Sequence, residues 1–101
     1  MSQDTTSGGQ PVQRPLYLVL GTERDRREFV RQTGVANSDV VTQWAGGHRL
    51  RGINRPIVVC ERRVPFRGRD VWMAYDLALQ ANHSRGFETE FIREVAGGWS
   101  L

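Results

Sequence analysis

A chain of 101 residues has room for one domain, and 39% hydrophobic with 25% charged residues is the make-up of a globular protein, not a disordered one. Its fourteen basic residues are all arginine and face eleven acids, for a net charge of +3. No apolar run approaches the ~20 residues that cross a bilayer, and the lone cysteine, Cys60, excludes an internal disulfide and suits a reducing compartment.

Met1-Ser2-Gln3-Asp4 has neither a basic start nor an apolar stretch, so we expect no secretion signal and a cytoplasmic location. Residues 1–14, rich in Ser, Thr, Gly and Gln, are expected to be a disordered tail. Pro15 then introduces Leu16–Leu20, a continuous apolar run of the kind buried on both faces of a parallel sheet. Thr22 stands where an N-cap belongs, with Asp25 in the capping-box position, and Glu23 and Asp25 complement the positive end of a helix over Glu23–Thr33. Phe29 and Val30 are its expected core contacts, and Gly34 its left-handed stop. After the turn Asn37-Ser38-Asp39, residues 40–44 read as a second strand. Strand, helix and strand close as a right-handed βαβ unit with parallel strands.

Residues 45–56 form a glycine- and arginine-rich loop, with Leu50 and Ile53 as anchors. The third strand, residues 57–60, is apolar without alternation and is expected in the middle of the sheet beside the first. A polar connection over 61–69 leads to a helix from Arg69 or Asp70 to Asn82, capped by Asp70. Val71, Ala74, Tyr75, Ala78 and Ala81 make its buried stripe, and Trp72, Met73 and Leu77 read as core as well. Residues 87–95 alternate as a half-buried edge strand does, and Gly97-Gly98 opens a loose C-terminal tail over 97–101. The fold class is therefore α/β: one domain over 15–96, with a three-stranded, mostly parallel sheet and an optional fourth edge strand.

Charge is unevenly placed. Residues 46–69 carry seven arginines against Glu61 alone, a local charge of +6, while residues 1–45 balance to zero and residues 70–101 sum to −3. An arginine-only basic set reflects either a GC-rich genome or selection for planar, bidentate phosphate and carboxylate contacts. In open parallel sheets ligands bind outside the carboxyl ends of the strands. Those ends are here Gly21-Thr22, Trp44 with the loop after it, and Glu61-Arg62-Arg63.

Gly21-Thr22 offers a helix N-terminus, yet it has neither a dinucleotide-binding glycine pattern nor a Walker A lysine, and Glu23 and Asp25 already sit at the positive end. An ordinary capped helix is the expectation there. The loops after the second and third strands are the better anion-binding candidates: Trp44, His48, Arg49, Arg51, Arg55, Arg62, Arg63 and Arg67, with Trp44 either stacking a base or sitting in the core. His48, His83 and Cys60 lack metal-ligand spacing, Cys60 reads as a buried structural thiol, and no acid–base pair stands out.

Taken in order, Leu16–Leu20 with Gly21, residues 39–42, and the run Leu50-Arg51-Gly52 followed by Arg55-Pro56-Ile57-Val58-Val59 resemble small Rossmann-like proteins of actinobacterial phages. They are also distantly similar to the C-terminal RecA-like lobe of helicases and related nucleoside triphosphatases. The likeness covers roughly residues 16–82 and implies a fold, not an activity. The expectation is a non-enzymatic accessory protein, in the host cytoplasm if phage-encoded, that binds a polyanion, DNA or RNA, through the arginine-rich loops. The alternative is a protein-interaction module, a homodimer or a binder of an acidic host protein, that uses the edge strand and Trp99. No catalytic residue, cofactor, metal or membrane partner is expected.

Overall fold

The computed structural model describes residues 14–45, 50 and 53–101. Four strands, β1 (Leu16–Leu20), β2 (Val40–Thr42), β3 (Ile57–Glu61) and β4 (Glu90–Arg93), form one sheet in the order β2-β1-β3-β4. All three pairings are parallel. Helix α1 (Glu23–Thr33) connects β1 to β2, and α2 (Arg69–Ser84) connects β3 to β4. The fourth strand is thus a full parallel member of the sheet.

Successive strand side chains point to opposite faces, and the two cores divide accordingly. Leu16, Leu18 and Leu20 of β1 pack with Ile57 and Val59 of β3 against Val71, Ala74, Ala78 and Ala81 of α2. Val19, Val58 and Cys60, on the other face, meet Phe29 of α1. Three layers result. Their arrangement follows from handedness: β1 to β2 moves one way across the sheet and β3 to β4 the other, so right-handed crossovers must lie on opposite faces. The return from β2 over β1 to β3 runs in the same sense as β3 to β4. Leu50 and Ile53, the expected anchors of that return, are accordingly found in the α2-side core.

Local chemistry sets the element ends. Thr22 caps α1 with a complete capping box on Asp25, and Gly34 closes it at φ 77°, both as the residue types require. β2 is shorter than expected. It stops at Thr42, and Gln43–Ala45 turn into a 3-10 helix in which the Trp44 N–H donates to Thr42 Oγ1. α2 starts after Gly68 without a side-chain cap. Asp70, expected to cap it, instead accepts a hydrogen bond from the Trp44 indole Nε1 at 3.1 Å. At its far end Asn82 is buried and bonds both the N–H and the carbonyl of Ile57, at 2.8 and 2.9 Å, and Thr89 Oγ1 at 3.1 Å. The amide stands in for a strand neighbour at the start of β3.

Two expectations about the core are corrected. Trp72 is 64% exposed and Met73 is also exposed, because only the stripe through Val71, Ala74 and Ala78 faces the sheet. Within the expected tail, Gly98 and Trp99 are anchored: Val95 and Gly98 pair with each other, the Trp99 N–H donates to Gln32 Oε1 at 2.7 Å, and the Trp99 ring is buried edge-on against Phe29. Trp99 is therefore core and not a surface for a partner. The expected tail over residues 1–14 lies outside the described residues except for Arg14, which sits 3.6 Å from Asp39.

Candidate nucleic-acid interface

The strand order reverses between β1 and β3, so the segments leaving their carboxyl ends part to opposite faces and open a crevice where ligands commonly bind. In this chain its own side chains fill that crevice. Asp25 Oδ2 accepts from the Thr22 N–H at 2.7 Å and from the Thr22 hydroxyl at 2.9 Å, while Oδ1 faces Arg62 Nε at 3.4 Å. A Cβ at position 21 would stand 2.5 Å from Asp25 Oδ2 and 3.0 Å from Arg62 Cδ, so any larger residue there must displace these side chains. The Gly21 N–H donates to buried Gln43 Oε1 at 2.9 Å, and Gln43 Nε2 has no acceptor among the described residues. The anion seat at this helix N-terminus is taken by an internal carboxylate, as the two acids of its first turn imply.

Beside the crevice, on the α2 face, a cavity of about 360 Å³ opens between the end of β3, the loop after it and the first turns of α2. Buried Leu20 and Val71 form its floor, and the rings of Phe66, Tyr75 and Trp72 border it. Glu61, Arg62 and Arg67 bring charge to it. The Arg62 guanidinium, besides facing Asp25, lies 6.0 Å from the Phe66 ring centroid. Glu61 pairs with Arg93 at 3.2 Å across β3 and β4. The rings continue on either side. Trp44, 53% exposed, meets Phe66 edge-on at 5.7 Å, Trp72 meets Tyr75 at 6.3 Å, and Tyr75 meets Phe91 of β4 at 5.9 Å.

Arg63, Arg67 and Arg69 are exposed on the loop after β3 and at the start of α2, Arg67 at the cavity itself, and enter no ion pair among the described residues. The Arg63 backbone N–H is held by Glu94 at 3.0 Å, which leaves its guanidinium to solvent. The sheet edge thus gathers Trp44, Arg62, Arg63 and Arg67 from the expected set. Arg55 is not with them. It precedes β3, so in a parallel sheet it belongs to the opposite edge, where its Nη1 bonds buried Asp39 at 2.9 Å. His48, Arg49 and Arg51 lie outside the described residues.

Sequence reasoning missed Trp72, Phe66, Tyr75 and Glu61 as lining groups. For Trp72 a signal existed: it sits one turn from Asp76, on the polar side of the helix and about a quarter-turn from the buried stripe. Cys60 is buried in the α1-side core, where loss of solvent pushes its thiol pKa up, so it stays protonated. Among the described residues no group of His, Cys, Asp or Glu could hold a metal ion, and no helix is long and apolar enough to cross a membrane. No protein-family model, curated protein or solved structure matches the chain.

Proposed function

We propose that this protein binds a polyanion, namely single-stranded nucleic acid, across the carboxyl edge of its sheet. The observation that carries the reading is exposed Arg67 at the cavity bordered by Trp72, Tyr75 and Phe66, with exposed Trp44 against Phe66 and exposed Arg63 and Arg69 near it in the chain, none of the three arginines entering an ion pair among the described residues. Arginine forks hold phosphate oxygens bidentately, and exposed rings stack bases that a duplex keeps paired. We read the architecture as Rossmann-like, a reading supported by the reversal between β1 and β3 and by helices on both faces. On this reading the chain acts by binding, in the cytoplasm, and the nucleic acid lies over the rim instead of entering the self-occupied crevice. The test is a salt titration of binding to single-stranded DNA and RNA. The logarithm of affinity falls linearly with the logarithm of salt if phosphates are neutralised, whereas no binding at low salt, or a flat dependence, overturns the proposal.

One observation favours a second reading, association of two copies through β4. That strand ends the sheet, and its Phe91 is 48% exposed. The other edge is guarded: Arg26 Nη1 reaches the Val40 carbonyl of β2 at 3.5 Å. An unguarded strand edge is a template for pairing. Light scattering across a concentration series separates the two, since a constant monomer mass rules out self-association.

A further inference from the structure

The cavity under the arginine rim has a chemistry of its own. At about 360 Å³ it falls in the size range of small-molecule sites. Its floor is aliphatic and its borders are rings, a surface that receives the face of a flat guest. The polar groups narrow the class of guest. Glu61, the last residue of β3, presents a carboxylate with one oxygen on Arg93 and the other able to accept a hydrogen bond, while Arg67 is an exposed cation at the same cavity that enters no ion pair among the described residues. A guest that suits all three is a flat ring with an N–H donor on its edge and an anion attached. A sugar phosphate has no flat face, and an aromatic side chain of a protein brings no anion.

We infer that this cavity receives one unstacked nucleobase of the bound strand, with its ring against Tyr75 and Phe66, its exocyclic amine on Glu61 and its phosphate on Arg67. The inference rests on the proposed binding of single strands and adds a preference to it. Cytosine, adenine and guanine carry an exocyclic amine that a carboxylate recognises, whereas thymine and uracil offer only a ring N–H flanked by two carbonyl oxygens and are disfavoured.

The experiment uses the full chain and three labelled strands of equal length: oligo-dC, oligo-dT and an abasic strand with the same phosphates. Expected is binding of oligo-dC about tenfold tighter than the abasic strand, the effect of one stacked base, with oligo-dT in between. Glu61→Gln should bring the dC and dT affinities together, and Tyr75→Leu should lower both toward the abasic value. Cytidine monophosphate alone should shift the aromatic NMR signals of Tyr75 and Phe66 in the unaltered protein, a readout that does not depend on either variant folding. Equal binding of all three strands with a steep salt slope overturns the inference and leaves the polyanion reading intact, as does cytidine monophosphate that moves no cavity signal. Absence of binding to any strand at low salt removes both.

Discussion

Replacing Arg63, Arg67 and Arg69 together by glutamine tests whether the rim is the binding surface. None of the three enters an ion pair among the described residues, and the contact made by Arg63 to Glu94 uses its backbone N–H. The fold should therefore persist. On a single strand each neutralised phosphate contributes about 0.7 to the slope of log affinity on log salt, so three contacts contribute roughly 2. Between 50 and 200 mM salt, a slope of that size corresponds to about 20-fold in affinity. Fluorescence anisotropy of a labelled oligonucleotide over that range should show the triple variant with a slope shallower by about 2. A net-charge effect is separated by Arg24→Gln with Arg27→Gln, since both arginines are exposed on α1, which packs on the other face of the sheet, and neither is in an ion pair among the described residues. If that pair lowers the slope as much per charge as the rim triple does, the protein's overall field and not this surface holds the nucleic acid, and the reasoning fails.

Asn82→Ala should lower stability by about 3 kcal/mol in urea unfolding, since it strands the buried N–H and carbonyl of Ile57; a loss below about 1 kcal/mol would mean water replaces the amide. Trp99→Ala should remove about 3 kcal/mol or more and lower the melting temperature by over ten degrees or so, because the ring is buried on Phe29. An unchanged melting temperature would return residues 97–101 to the status of a tail. Gly21→Ala should destabilise by about 1–2 kcal/mol by prying Asp25 from the Thr22 cap; a stabilised variant contradicts the close approach. Cys60 makes the alkaline limb steeper: its folded pKa is raised by burial above the ordinary 9.0. Above that pH the unfolded thiol gives up its proton while the folded one keeps it, so stability falls, by up to about 1.4 kcal/mol per pH unit. Unfolding free energies at pH 8 to 10 should flatten in Cys60→Ala, and equal slopes for the two proteins refute the assignment.

How far the fold is legible depends on whether its determinants are local. Leu16–Leu20 and Glu23–Thr33 can be read to the residue, because an unbroken apolar run, a capping box and a left-handed glycine are each written within a few positions. The end of β2 cannot be read that way, since Gln43 is drawn to the Gly21 N–H, 22 positions away in the chain. Trp72 and Trp99 fail in opposite directions for one reason. Hydrophobicity does not say which face of an element meets the sheet, and a glycine pair before Trp99 suggests looseness although Gly98, at φ 108°, turns the chain back onto Gln32. Arg55 misleads because nearness to other arginines in sequence says nothing about which edge of a parallel sheet it occupies.

Charge counted along a chain is not charge available to a ligand. The segment 46–69 carries a net +6, but Arg55 neutralises buried Asp39 at one edge of the sheet and Arg62 faces Asp25 at the other. Both acids are committed by the fold itself: Asp39 precedes β2, and Asp25 closes the capping box that starts α1. The crevice between β1 and β3 is thus filled by the same carboxylate that makes the βα turn stable, and an incoming phosphate would have to displace Asp25 from two hydrogen bonds to Thr22 and from Arg62. Arg63, Arg67 and Arg69 bear no such commitment among the described residues. Arg63 and Arg67 follow β3 on a loop and Arg69 opens α2; Phe66 of that loop packs on the α2-side core and meets the Trp44 ring. That contact, with the Trp44 indole bonded to Asp70, joins the segments after β2 and β3 into one surface, on which Arg67 stands at the cavity.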